Sequence, residues 1–104
     1  MQTDNHFDAL DAIALGLPMP GPQLATKAQV SELMQHAFFP GRPDRSTAYK
    51  AGVLAKLRLV LQRERLVCPY AQGSAEFDAY FSGTEEGSLI ANGYLEGLAA
   101  GAAA

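Results

Sequence analysis

Apolar residues recur at helical spacing in four stretches of the chain, separated by breaks rich in proline and glycine. Phe7, Leu10, Ile13, Ala14 and Leu15 make a first stripe, which Asp4 or Asn5 can cap and Gly16 can stop. Leu17-Pro18-Met19-Pro20-Gly21-Pro22 follows, and its prolines favour an extended, polyproline-like connector. Thr26 and Gln29 have capping-box spacing ahead of Val30, Leu33, Met34 and Ala37, so a second helix is expected there. Phe38-Phe39-Pro40-Gly41-Arg42-Pro43 then forces a turn, and adjacent aromatics at such a break suit a core plug or a partner surface.

The third stretch starts at Asp44 or Ser46 and is expected to run to about Arg65, with Tyr49, Val53, Leu54, Leu57, Val60 and Leu61 on its apolar face. Lys50, Lys56, Arg58 and Arg63 fall off that face and give the helix a basic back. It must stop at Leu66-Val67-Cys68-Pro69-Tyr70, because proline disfavours helix in the residue before it. Ser74 can cap a last helix, with Glu76 and Asp78 placed well against its dipole. That helix carries Phe77, Tyr80, Phe81, Leu89, Ile90, Tyr94, Leu95 and Leu98. Each interior glycine costs about 1 kcal/mol relative to alanine. Its glycines therefore predict either close approach to another helix or a break near Gly87-Ser88 or Asn92-Gly93. Gly83/Gly87 and Gly93/Gly97/Gly101 have a small-residue spacing that suits internal packing or a homodimer, and residues 99–104 are expected to fray.

Ala48-Tyr49-Lys50-Ala51-Gly52 recurs 31 positions later as Ala79-Tyr80-Phe81-Ser82-Gly83. Tyr49, Gly52, Tyr80 and Gly83 are thus the expected helix-crossing residues, each ring laid over the other helix's glycine. The pattern predicts a single all-α domain of about four helices. Residues 1–43 supply the N-terminal helices and connectors, residues 44–98 a helical hairpin hinged at Cys68-Pro69-Tyr70, and residues 99–104 a loose tail.

Charge divides the chain in three. Residues 42–65 hold seven Lys/Arg against Asp44 and Glu64, whereas the blocks on either side are acidic by three and five charges, for a net −3. A single cysteine leaves no internal disulfide. No secretory signal and no apolar run of about 20 residues is visible, so a soluble cytoplasmic protein without membrane contact is expected.

Tyr49-Lys50-Ala51-Gly52, Cys68-Pro69-Tyr70 and Ala79-Tyr80 with Gly83 together resemble the ribosome modulation factor family and its small phage- and prophage-encoded relatives. The likeness covers residues 48–87. It implies a pair of helices joined by the Cys-Pro-Tyr linker, and binding to ribosomal RNA through Arg58, Arg63, Arg65 and Tyr70. The chain departs from the family in a longer stretch between Gly52 and Cys68, in the absence of tryptophan and in its acidic balance.

Candidate chemistry is sparse. Cys68 with His6 and His36 lacks the spacing of a metal site or of a thiol nucleophile with its base, and a lone cysteine beside proline reads better as a small buried hydrophobe. Asp8/Asp11 and Glu85/Glu86 are expected on exposed faces rather than in a desolvated acid–base site. No phosphate-cradling loop, nucleophile elbow or metalloprotease helix is present. The expectation is a non-enzymatic binding protein without cofactor, catalytic residue or metal. Its partner is a host protein complex, such as a nucleic-acid-handling defence system, met through Phe38, Phe39, Glu85 and Glu86; the alternative is the ribosome, met through the basic helix. Direct nucleic-acid binding is weighed below a protein target because the chain is acidic overall.

Overall fold

Thr26 starts the first helix of the computed structural model, which describes residues 21–103. The Thr26 hydroxyl accepts the Gln29 N–H at 3.1 Å and Gln29 Oε1 accepts the Thr26 N–H at 2.8 Å, closing a capping box for α1 (Lys27–Ala37). Ser46 caps α2 (Thr47–Gln62) through the Tyr49 N–H at 3.1 Å. Ser74 does the same for α3 (Ala75–Ala103) through the Phe77 N–H at 3.0 Å. Every regular element among the described residues is helical. The helix expected over residues 4–16 lies outside them.

Two expected boundaries differ. α2 ends at Gln62 rather than near Arg65, because its last carbonyls are taken by a segment far away in sequence. Leu24 and Ala25 donate their N–H groups to the Leu61 carbonyl at 2.7 and 3.2 Å, and Gln23 Nε2 donates to that of Gln62 at 3.2 Å. Arg63 turns left-handed (φ 61°) and donates its Nε to the Pro22 carbonyl at 3.1 Å. α3, conversely, runs its 29 residues unbroken, so of the two alternatives its glycines offered it takes close approach, and it continues helical through Ala103 where fraying was expected from residue 99.

The larger difference is one of direction. Tyr49 of α2 lies on Gly83 of α3, Val53 and Lys56 on Gly87, and Leu57 and Leu61 share one cluster with Ala91, Tyr94 and Leu95. Later residues of α2 meet later residues of α3, so the two helices run parallel and do not form a hairpin. Residues 63–74 carry the chain back along the pair. Twelve extended residues reach about 40 Å, ample for the roughly 24 Å length of α2. On that return Tyr80 donates its hydroxyl to the Val67 carbonyl at 3.3 Å, and Tyr70 meets the Tyr80 ring edge-on at 5.9 Å.

The crossing itself is made by backbone. A methyl group on Gly52 would overlap the Tyr80 carbonyl, and one on Gly83 would overlap that of Tyr49. The two Ala-Tyr-x-x-Gly copies therefore exchange one contact in both directions, each glycine beneath the other's tyrosine carbonyl, not beneath its ring. Gly87 adds a third close approach, 2.9 Å from a would-be methyl to the Val53 carbonyl. These contacts are what the helix gains in return for its flexible residues. Gly93, Gly97 and Gly101 face open space. α1 covers the far end of α2, closing a core of Ala25, Val30, Val53, Leu57, Leu61 and Ala91. Leu59, off the expected stripe, is buried as well.

Candidate functional site

Beside the crossing, three residues from three parts of the chain form one polar network. The register of α3 puts Glu86, three residues past Gly83, on the face toward α2, while Glu85 stays exposed. Arg42, in the turn after α1, donates to both Glu86 oxygens at 2.8 and 2.7 Å. The Tyr49 hydroxyl donates to Glu86 Oε1 at 2.6 Å. Arg42 is further fixed by the Ala37 carbonyl at 2.6 Å and lies 4.7 Å over the Phe38 ring. Arg45 covers the Tyr49 ring at 4.4 Å.

The electrostatics follow from these contacts. The Arg42 hydrogen bonds, aided by that of Tyr49, hold the Glu86 carboxyl below its ordinary range against the opposing effect of burial. The same bonds to Glu86 raise Arg42 and Tyr49. Burial, aided by Cys68 and Tyr70, raises Tyr80, and burial lowers Lys56, whose stem packs on Gly87. Glu86 is thus a clamped, mostly buried carboxylate and not half of an exposed acidic pair. Two hydrogen bonds reach its Oε1 and one its Oε2, and the bidentate Arg42 contact fixes the orientation of both side chains at the edge of α2 and α3.

An open groove of about 590 Å³ borders the network, lined by Tyr49, Ser82, Glu85, Glu86, Leu89 and Ile90. Arg45, Ser46 and Ala79 extend it toward Tyr70, on the returning linker. Phe38 packs against the core, whereas Phe39 is 54% exposed and Leu89 72%. The aromatic corner is therefore split, one ring inside and one out.

The basic back of α2 is also divided. Lys50 pairs with Asp44 at 3.2 Å, Arg63 is held on the Pro22 carbonyl, and Lys56 is half-buried. Arg58 and Arg65 are exposed without an acidic partner among the described residues. Cys68 is half-buried, its thiol directed at the Tyr70 carbonyl 3.9 Å away. Among the described residues no three His, Cys, Asp or Glu side chains converge as a metal site requires, and no helix is long and apolar enough to cross a membrane. His6, Asp8 and Asp11 lie outside the described residues.

Arg42 is a site residue that sequence reasoning misses. Arg42 is 44 positions from Glu86 and nothing local ties the two. The one usable signal is the step of three from Gly83 to Glu86, which separates Glu86 from Glu85. No family model, characterised protein or solved structure matches this chain.

Proposed function

We propose that this is a non-enzymatic binding protein of phage or prophage type that docks on a host protein complex in the cytoplasm and modulates it. The observation that carries the reading is the setting of the Arg42–Glu86 pair. Phe39, whose carbonyl accepts the Arg42 N–H at 3.1 Å, stands exposed on one side, and Leu89 stands exposed on the groove it shares with Glu86. Exposed large apolar side chains mark interaction surfaces, and an aromatic beside an arginine, as Phe39 stands beside Arg42, is a pairing that interfaces are enriched in. A nucleic-acid-handling defence complex is one host machine of suitable kind, and the likeness over residues 48–87 supports the phage or prophage setting. The test is capture from a host lysate. A partner should co-purify in fixed ratio, persist through nuclease treatment and disappear with Phe39→Asp and Leu89→Asp combined, while circular dichroism stays helical. Capture unaffected by that double change would sink the reading.

A second reading rests on Arg58 and Arg65, two exposed cations on the stretch that resembles the ribosome modulation factor family. Under it the protein binds ribosomal RNA, affinity for ribosomes falls steeply between low and physiological salt, and Arg58→Glu with Arg65→Glu removes it. Unchanged ribosome profiles on overexpression would dispose of it.

A further inference from the structure

Gln62, the last residue of α2, is 2% exposed, yet neither its Nε2 nor its Oε1 has a hydrogen-bond partner among the described residues. Its backbone carbonyl is accounted for by Gln23, so the unmet atoms belong to the side chain alone. A buried carboxamide left unpaired lowers stability, which an apolar side chain of equal size would not do. Gln62 lines a cavity of about 250 Å³ between α1 and α2, its amide buried in the wall, with Lys27, Val30, Ser31, Met34, Leu54 and Arg58 as the other walls. Val30, Met34 and Leu54 make the apolar side. Lys27 and Arg58 stand exposed, neither ion-paired among the described residues, and no acidic side chain lines the cavity.

We infer that this cavity seats an extended acidic peptide segment of the partner protein, an inference that rests on the docking function proposed above. A residue in an extended chain presents its N–H and C=O on the same edge, as in an antiparallel ladder. One carboxamide answers both: Gln62 Nε2 donates to the peptide carbonyl and Oε1 accepts the peptide N–H. Side chains two positions apart share a face. An apolar residue then lies on Val30, Met34 and Leu54, and an acid two positions on meets Arg58, Lys27 and the Ser31 hydroxyl. A nucleotide would satisfy the cations as well, but no aromatic side chain lines the cavity to stack a base.

Fluorescence anisotropy on the full chain tests this with the blocked peptide acetyl-GLSEG-amide, its neutral counterpart acetyl-GLSQG-amide, and AMP. The acidic peptide should bind saturably and at least ten-fold more tightly than the neutral one. Gln62→Met and Arg58→Gln should each weaken it at least ten-fold. Gln62→Met should melt at or above the wild-type temperature, because methionine fills the site without unmet polar atoms; Arg58→Gln, at an exposed position, reads the charge contact independently of folding. Absence of saturable binding, equal binding of the neutral peptide, or full binding by Gln62→Met overturns the inference. AMP binding that the same variants abolish, in place of peptide binding, overturns the peptide assignment. A lysate partner captured equally by wild type and Gln62→Met removes the cavity and leaves the docking function standing. Peptide binding that Gln62→Met abolishes, with no partner captured, removes the docking function and leaves a peptide site.

Discussion

Gly52 and Gly83 carry the crossing because any side chain there meets backbone, which cannot rotate away. Gly52→Ala or Gly83→Ala should therefore cost at least about 3 kcal/mol, the upper end of overpacking. Gly97→Ala, on the same face-open helix but with nothing near its would-be methyl, should instead gain about 0.5–1 kcal/mol. Urea unfolding of the three variants checks both signs. Glu86 offers a second test at this scale. Its folded pKa is depressed, chiefly by Arg42, so its contribution is present above the unfolded value of about 4.3 and lost as pH falls through the folded one. Glu86→Gln should melt below wild type at pH 7, and the gap should close as pH drops below about 4. Tyr49 has the opposite sense: raised chiefly by its bond to Glu86, its contribution holds below about pH 10 and is lost as pH rises through the folded value. The contact pairs Tyr49/Gly83 and Tyr80/Gly52 are legible in the repeated motif. Their direction is not, since the same exchange of contacts fits helices running either way.

Among the elements, the helix starts were readable and the end of α2 was not. Thr26, Ser46 and Ser74 act on N–H groups three residues ahead, so their signals are local. Ser46→Ala should cost about 1 kcal/mol in thermal or urea unfolding. The end of α2 depends on Gln23, Leu24 and Ala25, some 36 to 39 residues upstream, and no window around Gln62 contains them. The continuity of α3 was hidden similarly, because Gly83 and Gly87 weaken it locally and are compensated only by α2. The parallel arrangement makes the linker a structural member. Removing residues 64–69 leaves seven steps across, about 23 Å, less than the length of α2 plus the lateral step between helices. That deletion should abolish the cooperative melt, whereas inserting six glycine and serine residues after Gln72 should cost about 1 kcal/mol or less. A hairpin would tolerate the deletion as well as the insertion, so the deletion is the variant that discriminates.

At the scale of the whole molecule, function separates from fold. Among the described residues one cation of the basic block, Arg42, pairs with an acidic flank, at Glu86, whereas Lys50 pairs with Asp44 of its own block. Arg58 and Arg65 are left for solvent or a partner, and a count of charges by segment cannot tell which cations those are. The Arg42–Glu86–Tyr49 network needs Glu86 brought to Arg42 and Tyr49 from 44 and 37 residues away, so it emerges only with the tertiary structure.

The parallel pairing also sets a timetable. Val53, Leu57 and Leu61 find their cover in residues 80–95, so during synthesis the apolar side of α2 waits for roughly 30 further residues, on the order of two to six seconds at cellular elongation rates. For that interval the only Ala-Tyr-x-x-Gly helix in reach is the same helix on a neighbouring nascent chain. Crowded polysomes are therefore where this protein is most exposed to pairing with the wrong copy of itself, and slow translation past Tyr70 should raise its aggregated fraction.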